Sequence, residues 1–186
     1  MSEQIALITG GSGDLAQAIC SELEQHQISV LAPSRAEMDV TEDASVAALF
    51  EKMARLDLLV CNAGLLADRP LSTMSESEFT QVLDVNLGGA FRTARAALKL
   101  MARHRSGHIV FIGSNSARSG PPGQSNYASA KAGLIALTQS LAREYGARNI
   151  RVNCILPGFL ETKMTVHFTD DARAKFRQAN TLGRFN

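Results

Sequence analysis

Tyr127 and Lys131 stand four residues apart at the start of a helical pattern, which puts both side chains on one helix face. A phenol titrates near 10 and is a poor base at neutral pH. An adjacent ammonium favours the phenolate, and a shift of two to three units corresponds to roughly 3–4 kcal/mol. Such a pair could move a proton to or from an oxygen. The spacing alone is also what an ordinary helix surface offers, so the surrounding residues must decide. Ser114 follows the apolar run His108-Ile109-Val110-Phe111-Ile112 and Gly113. It therefore sits at the C-terminal end of a strand, where ligands bind in open α/β sheets. Ser116 and Ser119 are nearby competitors and are not preferred. Asn86, in Asp84-Val85-Asn86-Leu87-Gly88-Gly89, falls inside a helical stretch, where its amide could bond a neighbouring carbonyl and bend the helix.

A second set of residues could hold a dinucleotide. Thr9-Gly10-Gly11-Ser12-Gly13-Asp14-Leu15-Ala16 lies between a first apolar strand and a first helix. Glycines there let the backbone approach a pyrophosphate, and the helix N-terminus offers it unpaired N–H groups. A tight turn uses the same residues, but the place of this run at the opening of the first βα unit favours binding. Ser34 and Arg35 follow the second strand. A carboxylate at that point would accept from the 2′-hydroxyl of NAD, whereas an arginine would pair with a 2′-phosphate. Arg35 thus favours NADP(H) over NAD(H), the plain alternative being a solvated loop charge. Asp39-Val40 and Asn62-Ala63-Gly64 follow further strands and could, taken alone, be simple turns.

The elements that must position these groups alternate along the chain. Strands are expected at Ile5–Thr9, Ile28–Ala32, Met38–Val40 (short), Asp57–Cys61, His108–Ile112 and Ile150–Leu156. Helices are expected over Leu15–Glu24, from a Thr41 cap onward, over Ser75 to about Arg105 with a break near Asn86, and over Ser125–Tyr145. Strands apolar throughout fit a parallel sheet covered on both faces, and the alternation fits a three-layer, doubly wound α/β fold of the Rossmann type. Residues 1–186 read as a single NAD(P)-binding domain.

In this order the motifs resemble those of the short-chain dehydrogenases/reductases. The glycine run resembles the family's Thr-Gly-x-x-x-Gly-x-Gly turn, departing from it at Asp14 and Ala16; Gly13 is expected to supply the flexibility lost at Asp14. Asp39-Val40 resembles the adenine-contacting pair, Asn62-Ala63-Gly64 the Asn-Ala-Gly motif, and Gly123-Gln124-Ser125-Asn126-Tyr127 the approach to the family's tyrosine. Pro157-Gly158-Phe159-Leu160-Glu161-Thr162 resembles the segment beside the nicotinamide, with backbone groups near Leu160 and the Thr162 hydroxyl at its carboxamide. The resemblance implies Asn86, Ser114, Tyr127 and Lys131 as the catalytic set. It implies cofactor contacts at Gly10, Ser12, Gly13, Asp14, Leu15, Ser34, Arg35, Asp39, Val40, Asn62, Ala63, Gly64, Tyr127, Lys131, Pro157, Gly158, Leu160 and Thr162. In the mechanism it implies, Ser114 holds the substrate carbonyl, hydride passes to its carbon, and Tyr127 protonates its oxygen. Lys131 tunes the tyrosine and relays a proton by way of a water near Asn86. The family also places a flap at Met164–Asn180 and a further helix and seventh strand after Leu182-Gly183-Arg184, so a C-terminally incomplete chain is expected.

Composition narrows the partners. The formal charge is +1 with no basic run, which argues against nucleic acid. The N-terminus has no basic-then-apolar leader pattern, and no apolar run approaches the roughly 18 residues of a membrane span. Cys20, Cys61 and Cys154 have neither metal spacing nor disulfide parity, and His26, His104, His108 and His167 have no metal spacing. Buried thiols in the cytoplasm, and no metal, are the expectation. The small and apolar residues of 88–100 and 129–141 suggest a homodimer or homotetramer. The leading function is NADP(H)-dependent reduction of a carbonyl, or oxidation of a secondary alcohol, with a 3-oxoacyl thioester as candidate substrate. The alternative is a catalytically silent dinucleotide-binding interaction module.

Overall fold

The structure, a computed structural model, describes residues 4–166 and 168–185; His167 lies outside the described residues. Five short strands form one parallel sheet: β1 (Ile5–Ile8), β2 (Ser29–Leu31), β3 (Leu58–Cys61), β4 (Gly107–Ile112) and β5 (Ile150–Ile155). Their order is β2-β1-β3-β4-β5, so the chain winds from β1 to one edge and crosses back past β1 to build the other half. The reversal leaves a crevice between the C-terminal ends of β1 and β3, the usual ligand position in such sheets.

Alternating strand residues feed two cores. Leu7, Leu59, Ile109 and Phe111 face a cluster that includes Val46 and Phe50 of α2 (Asp43–Phe50), Ala94, Leu98 and Met101 of α4 (Gly89–His104), and Leu134 of α6 (Ser125–Tyr145). Ile8, Val60 and Ile112 face Ala16 and Cys20 of α1 (Asp14–Gln25). These are the three layers expected. Burying each large apolar side chain contributes roughly 1.5–3 kcal/mol before entropy is counted. All three cysteines are free thiols.

The Met38–Val40 segment is not a strand. Asp39 holds it as a loop: its Oδ1 accepts from Thr41 N and Oγ1 at 2.9 and 2.7 Å, and its N–H donates to Ser45 Oγ at 2.9 Å. With its backbone committed to side chains, the segment has no ladder to join. Thr41 is likewise not a helix cap. Its hydroxyl serves Asp39, and α2 begins after Glu42 without a side-chain cap.

The expected long helical stretch is three pieces. α3 (Glu76–Leu83) opens on a capping box in which Ser75 and Glu78 satisfy one another's backbone N–H groups. Asp84–Gly88 is a π-turn, and α4 continues from it. Three helix-to-strand joints carry non-glycine residues in the left-handed region: Gln27 (φ 59°) before β2, Arg105 (φ 49°) before β4 and Asn149 (φ 59°) before β5. After β5, α7 (Asp170–Ala179) is shorter than the flap expected over Met164–Asn180. β5 pairs only with β4 among the described residues.

Candidate active site

The glycine turn is built from β1 and pinned from β3. The Thr9 hydroxyl accepts from the N–H groups of Asn62 and Ala63 at 3.0 and 2.9 Å, and Asn62 Nδ2 donates to Thr9 O at 3.1 Å. The Gly10 turn therefore lies against Ala63, with a Cβ at Gly10 only 3.0 Å from Ala63 Cα. Gly10 is the left-handed residue (φ +70°), and Gly13 is extended at φ −78°, so the flexibility expected of Gly13 is supplied by Gly10 instead. A Cβ on Gly11 would fall 2.0 Å from Ala32 O, so glycine is obligatory where the turn meets the end of β2. Ser12 is exposed in this turn. Beyond it α1 begins, and its first N–H groups, from Asp14 and Leu15, have no intrahelical acceptor. This cradle fits a pyrophosphate. Asp14 has a job of its own: its carboxylate accepts from Lys163 N at 2.6 Å and pairs with Lys163 Nζ at 3.4 Å. The backbone bond, opposed by slight burial, holds the Asp14 carboxyl below its ordinary range.

At the end of β2 the donors already have partners. Ser34 N and Oγ both donate to Glu37 Oε2 at 2.8 Å, and Arg35 Nε donates to Asp39 Oδ2 at 2.8 Å. Thr41 and then Arg35 hold the Asp39 carboxyl down at about 2. The Arg35 side chain is 79% exposed, so that its bond to Asp39 is what a phosphate would have to displace. Val40 is a core residue, 7% exposed, and it packs where a Cβ on Gly89 would fall.

The proposed catalytic groups meet at the C-terminal ends of β3, β4 and β5. Lys131 is buried, 3% exposed, and its Nζ donates to Ile112 O at 2.8 Å while lying 5.4 Å from the centre of the Tyr127 ring. Burial pulls its pKa down to about 8. Burial likewise pushes the Tyr127 phenol up, a hydrogen bond from Ser114 opposes this, and the Asp68 charge adds to it. The sequence expectation that Lys131 lowers the phenol is thus not met in this arrangement. Desolvation sets the direction, and the Lys131 ammonium is turned to a backbone carbonyl. Asn86, 1% exposed, donates through Nδ2 to Val82 O and Leu65 O at 2.9 Å each, and its Oδ1 lies 2.9 Å from where a Gly64 Cβ would stand. The same position is 3.8 Å from Lys131 Nζ, so Gly64 keeps the corner between Asn86 and Lys131 open. The bond to Val82, four residues back, is the helix-bending contact expected from the sequence.

The segment after β5 closes one side. Pro157 O accepts from Asn115 N at 3.0 Å, next to Ser114. Thr165 Oγ1 donates to Leu160 O at 2.7 Å and accepts from Thr162 N at 2.9 Å, so the Thr162 hydroxyl faces Thr165 at 3.4 Å. Phe159, beyond Gly158, stacks on Phe176 of α7 with ring centres 4.8 Å apart.

A family model described as short chain dehydrogenase matches residues 34–173. The chain belongs to the short-chain dehydrogenase family. It is 37% identical over 203 residues to the 3-oxoacyl-(acyl-carrier-protein) reductase of Escherichia coli, covering 97% of this chain and 83% of that protein. Proteins of the same name from Chlamydia trachomatis and Aquifex aeolicus are 38% and 39% identical, over 97% and 96% of this chain and 73% of each relative. The chain is therefore an NAD(P)-dependent oxidoreductase acting on a carbonyl or an alcohol.

Several groups at the site escaped the sequence reading. Thr9 reads in the sequence as one letter of the glycine motif, yet its buried hydroxyl ties the glycine turn to Asn62 and Ala63. Gly11 is required by Ala32, a contact no local pattern reveals. Gln124 belongs to the approach to Tyr127, but only the fold sets it between Asp68 and Ser116, while Glu37, three residues past Ser34, meets that serine by a local bond. Among the described residues, no group of His, Cys, Asp and Glu could hold a metal ion, and no helix is long and apolar enough to cross a membrane.

Proposed function

We propose that this oxidoreductase is an NADP(H)-dependent carbonyl reductase whose substrates are 3-oxoacyl thioesters. The observation that carries the reading is the convergence of Ser114, Tyr127 and Lys131 at the strand ends, next to the crevice flanked by the glycine turn. The reduced nicotinamide would supply the hydride. Ser114 donates a hydrogen bond to the substrate carbonyl and Tyr127 gives its proton to that oxygen. A raised phenol pKa suits this direction, because the acid must be protonated at neutral pH. Lys131 would hold the nicotinamide ribose when the cofactor is bound, and Asn86 fixes the π-turn against Gly64.

The similarity to 3-oxoacyl-(acyl-carrier-protein) reductases supports the thioester class, and Arg35 supports the 2′-phosphate. The cofactor contacts are Gly10, Ser12, Gly13, Asp14, Leu15, Ser34, Arg35, Asp39, Asn62, Ala63, Gly64, Pro157, Gly158, Leu160 and Thr162, with Val40 contributing backbone alone. We further propose a cytoplasmic homodimer or homotetramer, one domain per chain. The test is turnover with NADPH against a panel of ketones and β-keto thioesters. Oxidation of NADPH with a thioester supports the reading. Inertness toward the whole panel with both NADPH and NADH overturns it.

A further inference from the structure

The loop after β3 and the loop before α6 are clamped together. Arg69 N donates to Gly123 O at 2.8 Å, Asn126 Nδ2 to Ala67 O at 2.9 Å, and Gln124 Nε2 to Asp68 Oδ2 at 2.7 Å. The Gln124 side chain is buried, 8% exposed, and its Oε1 accepts from Ser116 Oγ at 2.8 Å. The Ser116 N–H in turn donates to Ser114 Oγ at 3.1 Å.

The direction of the side-chain bonds is fixed as far as the Ser116 hydroxyl, and the Ser116 backbone N–H fixes the last bond by itself. A carboxylate only accepts, so Gln124 must turn its nitrogen to Asp68 and its oxygen to Ser116. Ser116 must then give its hydroxyl proton to Gln124, and its backbone N–H can only donate. Ser114 Oγ is therefore an acceptor on its Ser116 side, and its own proton is left for the side that faces Tyr127.

We propose that Asp68 and Gln124 are positioning residues for the reduction: through Ser116 they hold Ser114 with its proton aimed at the substrate carbonyl. Neither residue touches the reacting atoms. The proposal rests on the reading of Ser114 and Tyr127 given above. The Asp68 charge also favours the protonated phenol, so both ends of the hydrogen-bonding pair at the carbonyl are kept as donors.

The test uses NADPH-dependent reduction of acetoacetyl-CoA, with NADPH binding followed by fluorescence. Gln124→Leu removes the link and should lower kcat by about tenfold or more while NADPH Kd stays within about twofold. Gln124→Glu sets two carboxylates face to face and should be similarly impaired. Adding Asp68→Asn to Gln124→Glu restores a donor opposite an acceptor and still leaves an oxygen for Ser116. The double variant should recover to within about threefold of the parent, a coupling that a double-mutant cycle isolates. The Glu pair keeps a polar group in place, so it carries the test should Gln124→Leu fail to fold. A double variant no better than Gln124→Glu, or parallel losses in kcat and NADPH affinity, would overturn the proposal. Ser114→Ala and Tyr127→Phe separate the two levels. If both stay active, the catalytic reading falls and takes this one with it. If both are inactive while the Gln124 variants turn over normally, only the positioning role falls.

Discussion

Tyr127→Phe should abolish turnover while leaving cofactor affinity nearly unchanged, because the ring still packs and only the proton is missing; residual activity above a few per cent in a steady-state assay would rule the phenol out as the acid. Lys131→Met should also lose activity, yet it should melt higher. The folded-state pKa of Lys131 is about 8 against an ordinary 10.5, so below pH 8 the fold carries a buried charge it would rather shed. The unfolded chain binds more protons between 8 and 10.5, and this penalty is relieved as pH rises through that window. Removing the charge recovers about 3 kcal/mol, less the lost bond to Ile112 O, for a net gain of up to about 2 kcal/mol in a calorimetric melt at pH 7. Arg35→Ala should narrow the preference for NADPH over NADH, measured by titration. Because Asp39 already holds this guanidinium, the parent preference should be nearer tenfold than a thousandfold, the exchange of one ion pair for another being worth about 1.5 kcal/mol. Tyr127, Lys131 and Ser114 were legible because residue type, helix spacing and strand end coincide in the sequence. Their ionisation was not, since the desolvation that raises Tyr127 comes from residues distant along the chain.

At the scale of elements, the joints are tighter than a pattern can reveal. The π-turn fits α6 because Gly133 leaves room for Leu87: a Cβ there would stand 2.7 Å from Leu87 Cδ2. Gly11→Ala would drive a methyl into the backbone at Ala32 and should cost about 2 kcal/mol or more, weakening cofactor binding along with the melt. A variant with an unchanged midpoint would show that the turn yields. Three of the five strands that pair, β1, β3 and β4, were readable as unbroken apolar runs, β2 and β5 are interrupted by Ser29 and by Arg151 and Asn153, and β4 was placed almost to the residue. The Met38–Val40 run failed because two apolar residues, Met38 and Val40, flank Asp39, whose side chain claims the local backbone. The helix faces were legible only in part. Ala90, Ala94, Ala97 and Ala130, expected at a subunit contact, are 7% exposed or less and pack within the chain's own core. Periodicity marks an apolar stripe without saying which neighbour covers it.

For the whole molecule, the outer surface of α4 and α6 is what remains for a second copy: Phe91, 48% exposed, with Leu137 and the exposed Ala132 and Ala136. Phe91→Asp should shift the protein toward monomers in light scattering at micromolar concentration, and a parent that is already monodisperse and monomeric would remove the contact from consideration. The sheet also gives the molecule two unlike poles. Every group assigned to chemistry gathers at the C-terminal ends of the strands. Gln27, Arg105 and Asn149 stand at the other pole, each forcing an L-residue into a conformation that costs roughly 1 kcal/mol or more. These joints can therefore be re-engineered without touching the reaction. Gln27→Gly and Asn149→Gly together should raise the melting temperature, the asparagine contributing less because its side chain tolerates that geometry, while kcat and KM stay put. Arg105 is the exception to leave alone, since its guanidinium also holds Ala147 O at 2.9 Å. At this pole stability can be raised without touching catalysis, whereas at the opposite one, as Lys131 and Gly11 show, the two are bound together.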